Sequence, residues 1–469
     1  MGLGLMLTAC ASIGVLDWPG RGTGETQPAA WATTADGARR LAAWPVSGWG
    51  EADPDTVTLR VDPTVRYQRV SGFGAAITDS SAWLIRHRLD EGQREALMSD
   101  LFGRQGGIGL SAVRLTIGAS DFSLSHYSYR DDPAAAFSLE PALESVVPVT
   151  LAAAAINPEL TVIASPWSAP GWMKTSGGLV RGSLSPDHYG DFARYLVDYV
   201  VGMREAGVDI DALTIQNEPH FEPANYPGMR VPPAARAAFI GGYLGPLLAS
   251  EGLEVDVLDW DHNWNEPESP LAVLSDPIAG PFVAGVAWHC YEGEVPAQSR
   301  VREAHPDKSV WLTECSGGAW EPDWGKALAW LTRNLIIGGT RNWAEGVLFW
   351  NLALDEKSGP HAGGCGDCRG VVTINGSTGE VTRNVEYYAL AHASRFTRPG
   401  ARRIESDSGV SGLESVAFRN EDDGSIALVV FNGGAAQRFQ VVVGWRAFAA
   451  DLPAGSVATF TWREARPGR

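Results

Sequence analysis

Residues 69–102 read RVSGFGAAITDSSAWLIRHRLDEGQREALMSDLF. An apolar run, Arg69–Thr78, gives way to a longer amphipathic stretch, and a second apolar run follows at Leu110–Gly118. Apolar run, amphipathic segment, apolar run is the pattern of parallel strands joined by a crossover helix. It recurs to about residue 395, with further strands expected at Leu160–Ser165, Ala212–Asn217, Val255–Trp260, Val283–His289, Val310–Glu314 and Gly346–Asn351. Ser185-Pro186 opens one of the intervening helices as N-cap and first-turn proline. Eight strand–helix units in roughly 320 residues predict a (β/α)8 TIM barrel rather than a doubly wound sheet.

From about Ile404 the period changes. SVAFRN, SIALVVFN and FQVVVG are separated by the turn signals EDDG, NGGA and LPAG, with no amphipathic helix between them. This is antiparallel β, a sandwich by size. VTLRVD at Val57–Asp62 precedes the barrel without a crossover partner, so it is expected to join the C-terminal sheet. The side β-sandwich would then be built from both chain ends, with 31–65 contributing to it, 66–397 forming the barrel and 398–469 completing the sandwich.

A chain of 469 residues exceeds the size of one hydrophobic core, which agrees with two domains. Hydrophobic residues are 45% and charged residues 20%, the balance of a protein that folds. The net charge of −18 repels phosphate backbones and anionic headgroups, which argues against nucleic acid as a partner. The first fifteen residues, MGLGLMLTACASIGV, are an apolar run too short to span a bilayer and placed where an export signal sits. Leu7-Thr8-Ala9-Cys10 resembles the bacterial lipoprotein signal, which would make Cys10 a lipidation site, although no basic n-region accompanies it. The stretch to about Ala30 reads as a tether. An exported chain, extracellular or lipid-anchored at a bacterial surface, is the expectation.

Export permits disulfides. Cys365 and Cys368 lie in the Gly-rich loop HAGGCGDCRG, where a local bridge is favoured over a zinc half-site or a redox pair. Cys290 and Cys315 each end an apolar strand and read as small buried thiols.

In a barrel the reactive residues stand at the C-terminal strand ends, where the loops converge. The fourth expected strand ends TIQNEP and the seventh VWLTE, so each delivers a carboxylate, Glu218 and Glu314. One strand-end glutamate is usually a solvated charge or a salt bridge. Two that face each other across the mouth are what glycoside cleavage needs, a proton donor and a second carboxylate flanking the anomeric carbon.

The runs SGFGAAITDSSAWL, SAVRLTIGASDFSLSHYSY, ASPWSAPGWMKTSG, TIQNEPHF, WHCYEG, LTECSGG and FWNLALDEKSGP together resemble glycoside hydrolase family 30, the family of glucosylceramidases and β-1,6-glucanases. The resemblance spans about residues 57 to 465. It implies a retaining β-glycosidase with Glu218 as acid/base and Glu314 as nucleophile. It further implies that Asn217 contacts the sugar 2-hydroxyl and that Arg114 holds Glu314 ionised, although a plain salt bridge would look the same. Asp121 and Trp167 would bind distal hydroxyls, Tyr291 would donate to Glu314, and Trp350 would floor the −1 sugar. His289 matches a family position as either a packed or a functional histidine.

The Cys365–Cys368 loop departs from that of animal glucosylceramidases, and Gly228 and Met229 lie in a fourth-loop insertion without an evident subsite. LDWDHNW crowds Asp259, Asp261 and His262, but no H-E-x-x-H or convergent Cys/His set accompanies them. Asp261 and Asn263 are therefore expected to line the cleft, with no metal or other cofactor required. A non-catalytic sugar-binding lipoprotein would be expected to lack one of the two glutamates. The substrate is expected to be a β-linked glucoside or glucan, cleaved by a glucosylceramidase-like exo-β-glucosidase, with an endo-β-1,6-glucanase as the alternative.

Overall fold

The structure is a computed structural model and describes residues 26–407 and 409–464. The expected targeting segment and Cys10 lie outside the described residues. No helix among them is long and apolar enough to cross a membrane.

Eight parallel strands close a barrel in chain order: β1 (Gly72–Ile77), β2 (Ala112–Ile117), β3 (Thr161–Pro166), β4 (Ala212–Thr214), β5 (Asp256–Asn263), β6 (Val283–His289), β7 (Ser309–Glu314) and β8 (Ala344–Asn351). Their near-continuous burial matches strands covered on both faces. Inside, Trp311 fills the barrel with Ala112, Ile163, Ala212, Leu258, Ala287 and Leu348. It fits because position 346 on the adjoining strand is glycine, where a Cβ would fall 2.1 Å from the Trp311 ring.

The single helix-like stretch after β1 is two helices, Asp79–His87 and Glu91–Phe102. Asp90 and Gln93 form a reciprocal capping box that restarts the chain after the break. Ser185 makes no side-chain cap; a 3-10 turn at Pro186–His188 leads into Tyr189–Glu205 instead. Arg69 also falls outside the barrel, because it closes a 12-residue strand, Thr58–Arg69, of the second sheet.

That strand pairs parallel with Gln437–Val443 and antiparallel with Arg402–Ser406, as expected for the segment beginning VTLRVD. Ala29–Thr33 pairs with Val457–Arg463, so both chain ends do enter one sheet of ten strands. Phe439 and Phe460 stand on strands far apart in its order, yet their ring centroids are 5.8 Å apart. The sheet therefore folds over its own core as a sandwich. His392, on the helix Val385–Ser394, joins the two halves through Thr33 and Thr459 at 2.8 and 2.9 Å. Burial pushes it down to about 3, so it is neutral there.

Candidate active site

The barrel mouth is shaped by two breaks in regular backbone. In β5, Trp260 and Asp261 have positive φ (79° and 51°), and pairing with β6 skips from Ala287↔Trp260 to Trp288↔His262. Asp261 is thus the extra residue of a bulge, turned into the barrel. A tryptophan tolerates this conformation because its ring is buried and its indole N–H donates to the Asn263 carbonyl at 2.9 Å. Glu218 has φ 49°, and its amide donates to the Asp261 carbonyl at 3.0 Å, so the same bulge positions the end of β4.

Asp261 does not line the cleft as expected. It is fully buried, and its two oxygens accept from Arg114, Thr214, Ser165, Thr313 and His289 at 2.7 to 3.0 Å. Burial opposes its charge, but Arg114 and His289 outweigh burial and hold its carboxyl far below the usual range. Asp259 is likewise no cleft residue, being paired in the interior with Arg236 at 2.8 Å. Asn263 is mostly buried, its side chain accepting the Tyr291 amide at 3.0 Å.

Upon this base stand the residues singled out from the sequence. Arg114, fully buried, donates to Glu314 Oε2 at 2.6 Å and to Asn217 Oδ1 at 2.8 Å. The Tyr291 hydroxyl donates to Glu314 Oε1 at 2.8 Å. His289 Nδ1 lies 3.3 Å from Glu218 Oε1 and 3.9 Å from Glu314 Oε1, so the two carboxylates meet across one imidazole edge. Its Nε2 is 3.0 Å from Asp261. Burial alone would discharge His289; the three carboxylates around it overcome that and raise it to about 9. Burial also pushes His262 down to about 4. His289 is therefore the cation that matters for Glu218, and against burial it holds that carboxyl below the usual range. Burial and a neighbouring carboxylate on their own would raise Glu218; the His289 imidazolium reverses that direction.

Asp121 follows β2, and Trp167 and Trp350 stand at the ends of β3 and β8. The two indoles stack at 5.0 Å, and the Arg114 guanidinium lies 4.8 Å from the Trp167 ring centroid. Burial first, then the charge of Glu314, pushes Asp121 up to about 8. Its Oδ1 is buried with no hydrogen-bond partner among the described residues.

Cys365 and Cys368 form the expected local disulfide. Cys290 and Cys315 are not free thiols; they are bonded to each other, a correction to their reading as buried hydrophobes. The pairing follows from the barrel register. His289 and Glu314 are partners on β6 and β7, so the residues that follow them emerge side by side. That register was the available signal, and each cysteine's own surroundings in sequence do not reveal it. Met229 of the fourth-loop insertion is fully buried, and the Gly228 carbonyl receives Lys174, so the insertion serves packing.

His262, not singled out for this site, brings its Nδ1 within 3.6 Å of Glu218. With Glu218 and His289 it offers ligand atoms within 4.8 Å of one another. A cation there would have to displace the His289 proton, and the paired carboxylates need no metal for acid–base chemistry.

The model of the glycosyl hydrolase family 30 TIM-barrel domain matches residues 70–397, and that of the family 30 beta sandwich domain matches residues 400–460. The chain belongs to glycosyl hydrolase family 30. An endo-1,6-beta-D-glucanase of Neurospora crassa is 35% identical to this family 30 chain over 442 residues, covering 88% of it and 90% of the relative. Putative glucosylceramidase 4 of Caenorhabditis elegans is 31% identical, covering 82% and 78%. The solved structure of an endo-beta1,6-glucanase shares 33% identity with a TM-score of 0.87, covering 93% of this chain and 99% of that one. The chain is a glycoside hydrolase.

Proposed function

We propose that this family 30 hydrolase cleaves β-1,6-linked glucan with retention of configuration. The observation that carries the chemistry is the pair Glu218 and Glu314, facing each other across His289 at the ends of β4 and β7. Glu314, bonded through both oxygens to Arg114 and Tyr291, is oriented as the nucleophile. Glu218 protonates the leaving oxygen and then activates water. His289 Nδ1, 3.3 Å from Glu218 Oε1, is placed to exchange a proton with it. Asn217 and Asp121 bind sugar hydroxyls, while Trp167 and Trp350 form the aromatic surface against the ring.

The substrate reading shifts from the glucosylceramidase expected above to the glucanase alternative. Greater similarity to endo-1,6-beta-glucanases than to glucosylceramidases supports it, at 35% against 31%. Two disulfides support export into an oxidising compartment. The test is a panel of β-1,6-glucan, gentiobiose, glucosylceramide and an aryl β-glucoside. Fastest kcat/KM on the glucan, with oligosaccharides released, is the expected result; glucosylceramide as the preferred substrate would overturn it.

A further inference from the structure

Four residues of the catalytic centre meet one disulfide. Cys290 is the chain neighbour of both His289 and Tyr291, and Cys315 follows Glu314 directly. The Cys315 carbonyl also accepts the amide of Trp350, at the end of β8, at 2.8 Å. Cys315 is fully buried and Cys290 nearly so, which makes the bridge part of the packed interior and not a surface staple.

The bridge stands at a fork. His289 and Glu314 are the last paired residues of β6 and β7. Beyond them the β6 chain bends toward the β5 loop at Gly293, whose φ is +86° and where a Cβ would fall 2.3 Å from the Asn265 backbone. The β7 chain runs the other way, into Gly317–Gly318, which pairs with Cys368–Arg369 after β8. Cys290 and Cys315 clamp the two chains, with Cα atoms 5.4 Å apart, at the point where they part.

Tyr291 has the most to lose from an open fork. It is 42% exposed, its amide is held from the β5 side by Asn263, and its hydroxyl reaches across to Glu314 Oε1 at 2.8 Å. A hydrogen bond from a partly exposed side chain is exchanged for one to water at little net cost. Fixing the backbone at both ends of the bond removes the freedom to make that exchange. Glu314 is then held at both oxygens, by Arg114 on one and Tyr291 on the other, in a single orientation for attack. Resting on the assignment of Glu314 as nucleophile above, we propose that Cys290 and Cys315 are a positioning pair for the hydrolytic reaction, their bridge holding the Tyr291 hydroxyl against Glu314 and so fixing the nucleophile.

The test uses whichever substrate of the panel above turns over fastest, and compares wild type with Cys290→Ser/Cys315→Ser, Tyr291→Phe and the triple variant. The bridge variant should lose about tenfold in kcat with KM within about twofold, because the loss falls on attack and not on sugar binding. Tyr291→Phe should lose a similar factor, and the triple variant should be no more than about twofold slower than Tyr291→Phe, since both changes remove one interaction. Losses that multiply in the triple variant, a bridge variant with wild-type kcat, or a loss carried by KM overturns the proposal. Should the bridge variant fail to fold, the folded wild type is reduced with dithiothreitol, which supplies two electrons and closes to its cyclic disulfide, until mass spectrometry finds Cys290 and Cys315 as thiols. Its kcat should fall about tenfold and return on reoxidation, while Tyr291→Phe treated alike should change less than about twofold. Equal losses in the two proteins, or none, refute the role. A Glu314→Gln variant that keeps its activity removes the nucleophile assignment and this inference together, whereas an inactive one beside an unmoved bridge variant removes the inference alone.

Discussion

At the scale of single residues the site depends on where one proton rests. His289 is the cation among Glu218, Glu314 and Asp261, and its raised affinity for a proton sets the behaviour of Glu218. Replacing His289 by Gln should move the alkaline limb of the kcat/KM profile toward acid, and a limb that stays in place would separate His289 from the general acid. The same group links pH to stability. Its folded-state value of about 9 exceeds the ordinary histidine value of 6.5, so its contribution is complete below pH 6.5 and is lost as pH rises through 9. Melting temperature should therefore fall across that window, and by less in the Gln variant. Asp261→Asn leaves Arg114 and His289 short of a buried counter-charge and should cost about 3–5 kcal/mol, read by denaturant unfolding. Glu218 and Glu314 were legible because a strand-end carboxylate needs only sequence position to be noticed. The role of Asp261 was not, since the β5 bulge reverses the alternation from which a strand's inward face is read.

At the scale of elements, eight strands could be read because each is an apolar run bounded by turn residues, and parallel order then followed from the helices between them. Their ends were less legible. β4 pairs over only Ala212–Thr214, because the following segment leaves the ladder to present Asn217 and Glu218. Arg69 read as barrel strand because nothing in its composition marks the passage from one sheet to the other. The Cys290–Cys315 bridge closes a sequence separation of 25 residues between neighbouring strand ends and by chain entropy contributes about 3 kcal/mol. The Cys290→Ser/Cys315→Ser double variant should melt earlier by that measure. Thiol titration of the unfolded, unreduced protein should find neither cysteine reactive, and labelling of both would refute the bridge. Gly346→Val would drive a side chain into Trp311 and should cost about 1–3 kcal/mol, read as a fall in the denaturation midpoint.

At the scale of the whole molecule, the sandwich is tied to the barrel by the Thr58–Arg69 strand and by His392 between Thr33 and Thr459. A chain ending near Pro399 strips the partners from that strand and uncovers the flank of the barrel. It should be insoluble, and a soluble, fully active truncation would show the barrel to be independent. The two-ended origin of the sandwich was legible from one orphan strand. All of these parts serve one claim, that Glu314 attacks the anomeric carbon while Glu218 handles the proton. Retaining enzymes place such carboxyls about 5 to 5.5 Å apart, close enough for direct attack. Proton NMR of the first sugar released from β-1,6-glucan, recorded before mutarotation, tests this most directly: the β-anomer should appear first, and first appearance of the α-anomer would contradict the assignment of Glu314.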